Sequence, residues 1–111
     1  MNIINRTPHP ITIRTPGGDL TFEPSGVVAR VATKEYEIGT LEGVPVIHRT
    51  FGDVEGLDDR QSDTAYIVSS IVLEEARSQG IFGNLFAPDS GPTAIRDEKG
   101  SIVAVTRLVG A

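Results

Sequence analysis

The sequence predicts an α+β fold in which short β-strands predominate and one helix packs against them. Twelve glycines and seven prolines punctuate the 111 residues, which is typical of turn-rich chains built from short strands. Several segments alternate apolar and polar residues, as half-buried strands do. A single segment has the apolar repeat of an amphipathic helix. A chain of this length is expected to form one domain over residues 1–111.

The first half of the chain consists of predicted strands separated by strong turn signals. The prolines of Thr7-Pro8-His9-Pro10 restrict the backbone and favour a bend or a sheet edge. Pro16-Gly17-Gly18-Asp19 and Glu42-Gly43 are typical turn sequences, and the second predicts a hairpin. Strands are predicted at residues 1–5, 11–14, 20–23, 27–33, 36–41 and 44–50.

The helix is predicted at about residues 68–79 and is the only one in the chain. Val68, Ile71, Val72 and Ala76 recur at the spacing of one helical face. Either Ser69 or Ser70 can cap its N-terminus, and Gly80 stands where a left-handed residue would end it. The apolar stripe must therefore pack against a sheet or against the same helix of a second subunit.

The remaining segments are two long loops and a closing hairpin. Residues 51–64 are acidic and glycine-rich, and loops of this length are often functional or interfacial. A second loop covers residues 80–92. Residues 94–108 are predicted as a C-terminal β-hairpin that turns at Asp97-Glu98-Lys99-Gly100. The prediction is therefore a small antiparallel sheet with one main helix and a C-terminal hairpin.

Composition excludes several classes of function. The net charge of −5 argues against binding long nucleic acid, which requires a basic surface, but it does not exclude a small anionic ligand. The chain has no cysteine, so disulfides and thiolate metal sites are impossible. No apolar stretch approaches the length of a membrane span, and no leader-like N-terminus is present, so a reducing cytoplasm is the expected setting.

No residue pattern indicates a catalytic centre, a metal site or a cofactor. His9 and His48 are the only histidines, and neither has a carboxylate at metal-ligand spacing. Ser25 and Ser90 lack the strand–turn–helix context of a nucleophilic serine. We therefore expect a binding protein rather than an enzyme, with no bound cofactor or metal. A hydrolase that acts on a small anionic ligand remains an alternative.

Arginines and loop aromatics are the candidates for a binding site. Arg30 shares one face of its predicted strand with Val28 and Ala32, which suits either a surface ion pair or a ligand clamp. Arg96 precedes Asp97 at the closing hairpin. The ordinary interpretation of each arginine is a solvated charge at a strand edge. Three aromatic side chains on predicted loops could stack on a base, although core packing is their commoner role: Phe51, Phe82 and Phe86.

A succession of short segments resembles a known family. In chain order they are IINRTPHPI from Ile3, PSGVVARV from Pro24, FGDVEGL from Phe51, YIVS from Tyr66 and IRDEKG from Ile95. This succession is similar to that of small phage proteins that include the first-described Thoeris anti-defence proteins, and the resemblance covers nearly the whole chain.

The resemblance implies a function in immune evasion. Such proteins sequester glycocyclic ADP-ribose, the signal made by bacterial TIR-domain enzymes, without degrading it, and they act in the cytoplasm of the infected bacterial host. Some members also hold cyclic trinucleotides in a higher oligomer. The implied partners are therefore a small cyclic nucleotide and further copies of the same chain, as a homodimer or a larger assembly such as a hexamer. No membrane or long nucleic acid is involved.

The resemblance also implies a set of ligand-binding residues. The family pair of an arginine after the PSG turn and an Arg-Asp near the last hairpin corresponds to Arg30 and to Arg96-Asp97. The family also has a base-stacking aromatic and an asparagine that binds a polar edge, for which the candidates by region are Phe82, Asn84 and Phe86.

A second functional class remains open from the residues alone. The chain is also compatible with a small phage structural protein or protein-binding inhibitor that acts through the acidic segment at residues 51–64. Such a segment would serve as a nucleic-acid mimic or as a docking face.

Overall fold

The fold was examined in a computed structural model, which describes residues 2–81 and 83–110. These residues form an α+β fold that is mostly β, as predicted. The elements in chain order are β1 (Asn2–Asn5), β2 (Ile11–Thr15), β3 (Gly18–Phe22), β4 (Arg30–Leu41), β5 (Val44–Glu55), β6 (Thr64–Ile67), α1 (Ser70–Ser78), β7 (Leu85–Pro88), β8 (Ile95–Arg96), β9 (Ile102–Ala104) and β10 (Leu108–Gly110).

The strands form one four-stranded sheet and three two-stranded sheets. The pairs β2–β3, β4–β5 and β8–β9 are antiparallel, as the turn signals predicted. The four-stranded sheet has the order β1-β6-β7-β10. It is mixed, because β6 lies parallel to both β1 and β7, whereas β10 is antiparallel to β7. Helix α1 forms the crossover that the parallel β6–β7 pair requires.

Helix α1 covers one face of this sheet and completes the core. Val72, Leu73 and Ala76 are buried, whereas Ile71 is 55% exposed. The prediction that Ile71 belongs to the buried apolar stripe of the helix was therefore wrong. The reason is that the helix begins only at Ser70, so that Val68 is buried as part of the extended segment before it.

Both predicted capping positions are confirmed, although the helix itself begins at Ser70 rather than at about residue 68. The Ser69 hydroxyl accepts a hydrogen bond from the Val72 N–H at 3.3 Å. At the other end Gly80 has φ +78°, and the Ile81 N–H donates to the Ala76 carbonyl at 2.8 Å. This is the Schellman arrangement that glycine at this position favours.

A buried asparagine organises the first bend of the chain. Asn5 is 1% exposed, and its amide nitrogen donates to the carbonyls of His9 and Phe22 at 2.7 and 2.9 Å. Its side-chain oxygen accepts from the Thr7 N–H at 2.8 Å. The Thr7-Pro8-His9-Pro10 bend is therefore held from inside by one side chain, which joins β1 to the β2–β3 sheet.

The neighbouring Arg6 fixes the acidic segment to the core. Its side chain is 6% exposed and forms a bidentate pair with Asp59, at 3.0 and 3.1 Å. It also donates to the Gly56 carbonyl at 2.7 Å and lies 5.0 Å from the centre of the Tyr66 ring. The predicted loop at residues 51–64 is thus part strand, since β5 extends to Glu55, and part anchored turn.

The β4–β5 hairpin extends away from this core. We call residues 33–51, with their turn at Glu42-Gly43, the arm. The predicted turn is confirmed, with φ +51° at Glu42 and +81° at Gly43, as a two-residue hairpin turn requires. Every residue of the arm is exposed. The radius of gyration is 16.4 Å, compared with about 13 Å for a compact domain of this length.

The C-terminal hairpin agrees with the prediction in outline. Ile95 pairs with Ala104 and Arg96 pairs with Ile102, with a register irregularity between the two pairs. The turn between them contains Gly100 at φ +84°. The chain then leaves this hairpin, and β10 pairs with β7 at the edge of the four-stranded sheet.

Candidate functional site

A groove of about 440 Å³ lies between the base of the arm and the N-terminal half of α1. One wall consists of β4 and β5 where they leave the core, and the other consists of the first turn of the helix. The polar and aromatic residues that line it are Arg30, Thr33, Glu35, Arg49, Phe51 and Ser69. This volume lies within the range of small-molecule sites.

Arg30 begins β4 at one end of the groove. It stands opposite Glu55 in the β4–β5 register. Its side chain is exposed, and within the described residues no group forms a hydrogen bond or an ion pair with its guanidinium. An arginine in this state retains all five donors for a ligand and presents them in the planar fork that matches phosphate or carboxylate.

Arg49 lines the same groove and has a carboxylate partner. Its guanidinium donates to Glu35 at 3.2 Å, across the β4–β5 pair. Both side chains are about half exposed, 51% and 49%. An exposed ion pair contributes little to stability, so an incoming phosphate can displace Glu35 at small cost. With Glu35 displaced, Arg30 and Arg49 both face the ligand.

The apolar part of the groove consists of one aromatic ring and the start of the helix. Phe51 is 42% exposed and Ile71 is 55% exposed. Behind them, the first N–H groups of α1 have no acceptor within the helix. The helix dipole adds a partial positive charge at this end. The groove therefore combines two guanidinium groups, a helix N-terminus and an accessible aromatic face.

Arg96 and Asp97 lie on a different sheet and form part of the hairpin turn. Arg96 donates to the carbonyls of Gly100 and Ser90, at 2.7 and 3.2 Å. The Asp97 carboxylate accepts from the N–H groups of Lys99 and Ser101, at 2.9 and 3.0 Å. In one chain Arg96 does not line the groove that contains Arg30.

Asn84 and Phe86 also lie outside the groove. Asn84 has φ +58°, its carbonyl accepts from the Tyr66 N–H, and its side chain donates to the Ser62 carbonyl at 2.7 Å. Phe86 is half-buried in β7 and lies against the backbone at Gly110. Both are positioned to support the sheet. Phe82 lies outside the described residues.

Sequence reasoning missed Arg49 and gave Phe51 only a general role. A signal was present, because Arg49 and Phe51 are separated by one residue in β5 and therefore lie on the same face of the strand. That face could be connected with Arg30 only after the position of α1 was known. The helix closes the second side of the groove, and no local sequence pattern specifies this long-range contact.

The described residues contain no group of three or more His, Asp or Glu side chains that could hold a metal ion. They also contain no helix that is long and apolar enough to cross a membrane. Three carboxyl groups have lowered pKa values, chiefly because each accepts a hydrogen bond from an arginine: Asp19 from Arg14, Asp59 from Arg6, and Asp89 from Arg107. None of the three lines the groove.

Fold and groove together define a small α+β protein with a site suited to an anionic ligand that carries an aromatic group. Comparisons with protein-family models, with curated proteins and with solved structures found no match.

Proposed function

We propose that this protein binds a small cyclic adenine nucleotide in the groove and sequesters it without degrading it. The resemblance suggests glycocyclic ADP-ribose as the ligand and the cytoplasm of an infected bacterium as the setting, where removal of this signal would block Thoeris defence. The observation that carries the proposal is the unpaired guanidinium of Arg30 in a groove that also contains Arg49 and Phe51.

The two arginines account for binding of the diphosphate. Each charge-assisted hydrogen bond contributes about 1.5–3 kcal/mol net. Arg30 offers its donors directly, and Arg49 does so by exchanging Glu35 for a phosphate oxygen. Because guanidinium remains charged throughout the physiological range, this binding is expected to vary little with pH near neutrality.

Phe51 accounts for recognition of the base. Stacking of a base on an aromatic ring contributes about 1–3 kcal/mol, and the Phe51 ring is accessible from the groove. A ligand of roughly 35 heavy atoms at about 0.3 kcal/mol per atom would reach about 10 kcal/mol, equivalent to a Kd of tens of nanomolar. Such affinity requires that most of the ligand surface be enclosed.

Enclosure is the reason to involve a second copy of the chain. Small-molecule sites generally bury 70–90% of their ligand, whereas this groove is open along one side. A second copy over the opening would complete it, and would allow Arg96 and Asp97 to reach the ligand as the resemblance implies. A larger assembly, such as a hexamer, would offer room for a cyclic trinucleotide at another junction.

The test is a calorimetric titration of the protein with glycocyclic ADP-ribose, followed by heat release of the nucleotide and mass spectrometry. We expect stoichiometric binding and recovery of the ligand with its mass and retention time unchanged. Recovery of a cleaved product, with or without added divalent metal, would favour the hydrolase instead. A panel with cyclic ADP-ribose isomers and cyclic trinucleotides would define specificity.

The protein-binding alternative makes a different prediction for the acidic segment. In the structure this segment is anchored, because Leu57 is buried, Asp59 pairs with Arg6, and the Gln61 N–H donates to the Tyr66 hydroxyl at 2.9 Å. If the segment is a docking face, replacing the exposed Asp58 and Asp63 by asparagine should abolish capture of a host protein. If the groove is the site, the same replacements should leave nucleotide binding unchanged.

A further inference from the structure

The arm has one face that is apolar, exposed and free of carboxylates. The register of β4 with β5 places two sets of side chains on opposite faces of the hairpin. We call the face that turns toward the groove the groove face. Its side chains are those of Thr33, Glu35, Glu37, Thr40, Pro45, Ile47, Arg49 and Phe51. We call the opposite face of the hairpin the apolar face. It consists of Lys34, Tyr36, Gly39, Leu41, Val44, Val46, His48 and Thr50.

The apolar face is too exposed for a hairpin that stands alone. Four of its large side chains are strongly accessible: Tyr36 at 53%, Leu41 at 68%, Val44 at 62% and Val46 at 37%. An isolated two-stranded hairpin is marginal in water and normally needs a covered face. No element within the described residues covers this one.

We propose that the apolar face of the arm binds the same face of a second copy of this chain. The two hairpins would stack face to face across a two-fold axis, like the layers of a small β-sandwich. This contact lies on the opposite face of the hairpin from the groove. The contact does not require a nucleotide, so it can be tested independently of the proposed function.

The distribution of charge favours a second copy as the occupant. The chain has a net charge of −5, so two copies repel each other over most orientations. The acidic side chains Glu35 and Glu37 lie on the groove face, whereas the apolar face carries Lys34 and His48 and no carboxylate. Two apolar faces can therefore meet without bringing acidic groups together. An antiparallel arrangement also directs Lys34 at the base of one arm toward the partner's Glu42 at the tip.

The apolar side chains supply part of the area that an interface of this kind needs. The four large side chains leave on the order of 400 Å² accessible, about half of the roughly 800 Å² that each partner contributes to a standard stable interface. The hydrocarbon stem of Lys34, the imidazole of His48 and the backbone at Gly39 lie beside them and supply further area. The side chain of Ile38, which is 66% exposed at the register irregularity of β4, borders the same surface.

The matched test uses two neighbouring residues of β5 that point to opposite faces, Val46 and Ile47. Their exposed fractions are similar, 37% and 44%. Light scattering coupled to gel filtration, without nucleotide, should give twice the chain mass of 11.8 kDa, or an even multiple of it, for the unaltered protein. Val46→Lys should halve the measured mass, whereas Ile47→Lys should leave it unchanged. Circular dichroism establishes that both variants are folded.

A second measurement covers the case in which the lysine variants fail to fold. Because the chain has no cysteine, a single one can be introduced at either position. A two-fold axis through the middle of the apolar face places Val46 close to the partner's Val46, so Val46→Cys should cross-link into a covalent dimer with a short bis-maleimide. Ile47→Cys should remain a single chain.

Several outcomes would overturn the proposal. One is that the unaltered protein is a monomer at about 100 µM, well above the Kd expected for a standard interface. Another is that the two lysine variants have the same mass, or that the two cysteine variants cross-link to the same extent. A monomer whose apolar face binds lipid vesicles, or captures a host protein in a manner abolished by Val46→Lys, would assign the face to that partner instead.

Discussion

Arg6 shows how a charged residue can hold a small core together. Its guanidinium contacts the Gly56 carbonyl and the Asp59 carboxylate of the acidic segment and the Tyr66 ring of β6. Its Nε atom is buried and has no acceptor in the described residues. Burial of that N–H has a cost, and the remaining contacts offset it only while all of them are present.

We expect Arg6→Ala to destabilise the fold by about 2–3 kcal/mol, because it removes a buried side chain with several hydrogen bonds. The matched control is Arg14→Ala, since Arg14 also forms a bidentate pair with an aspartate, Asp19, but both side chains are about half exposed. Urea denaturation should show little change for the control. Equal losses in the two variants would mean that Arg6 contributes no more than a surface ion pair.

The Arg6–Asp59 pair also makes stability depend on pH in the acid range. Hydrogen bonding by Arg6 lowers the pKa of Asp59 below its ordinary value of 3.8. A carboxyl group with a lowered pKa in the folded state stabilises the protein above the unfolded value, and this contribution is lost as the pH falls through the folded pKa. The pKa of Asp89 is lowered in the same direction, chiefly by hydrogen bonding from Arg107.

We therefore expect Asp59→Asn to lower the urea midpoint at neutral pH and to approach the unaltered protein as the pH falls below about 3.8. Asp58→Asn is the control, since Asp58 is an exposed neighbour in the same segment. A difference between Asp59→Asn and the unaltered protein that stays constant with pH would show that the pair is not the source of the acid sensitivity.

At the scale of elements, the acidic segment lies in close backbone contact with the residues that immediately precede β4. Gly56 has φ +85°, and a Cβ atom there would lie 2.5 Å from the Val28 carbonyl oxygen. Gly26 has a similar φ of +94°, but a Cβ atom there would meet open space. Alanine substitutions at these two positions therefore distinguish the cost of backbone strain from the cost of a steric collision.

We expect Gly26→Ala to destabilise the protein by about 1 kcal/mol, which is the cost of a left-handed conformation for alanine. Gly56→Ala should cost at least about 3 kcal/mol, because the collision with backbone adds to the same strain. Thermal denaturation of both variants measures the difference. Similar midpoints would mean that the segment moves away from β4 without penalty.

Local elements of this fold could be predicted from the sequence because their signals are local. Ser69 and Gly80 define the two ends of α1, and Glu42-Gly43 defines the tip of the arm. The parallel pairing of β1 with β6 could not be predicted, because Asn2 pairs with Thr64 and no turn connects them. The burial of Arg6 was also missed, since an arginine beside a proline-rich bend has the pattern of a surface charge.

The candidate site could be predicted only in part for the same reason. Arg30 was identified from its strand position and from the resemblance, and it does line the groove. Arg49 was not identified, because its relation to Arg30 depends on how α1 packs over β4 and β5. Arg96 was identified from its place at the closing hairpin and from the resemblance, and Asp97 from the resemblance; in one chain both stabilise a turn. Their contact with a ligand stays a prediction.

At the scale of the whole molecule, the elongated shape separates two surfaces. The groove lies where the arm meets the core, and the apolar face lies on the other side of the arm. The described chain measures 52 × 39 × 22 Å, and we expect both surfaces to be more completely covered in an assembly than in a monomer.

Arg96→Ala tests whether the assembly contributes to the ligand site. We expect nucleotide affinity to fall at least about tenfold, since one charge-assisted contact is lost, with only a small loss of stability. Calorimetry and thermal denaturation on the same sample measure both effects. Unchanged nucleotide affinity with a lowered melting temperature would mean that Arg96 stabilises the hairpin turn and does not contact the ligand.

The central claim is that Arg30 binds the anionic part of a nucleotide in the groove, and paired titrations test it most directly. Arg30→Ala and Arg14→Ala each remove one positive charge, from the groove and from the β2–β3 sheet respectively. With glycocyclic ADP-ribose, we expect Arg30→Ala to weaken binding by about 10- to 100-fold and Arg14→Ala to leave it unchanged. Equal affinities for the two variants, or no heat of binding with the unaltered protein, would contradict the claim.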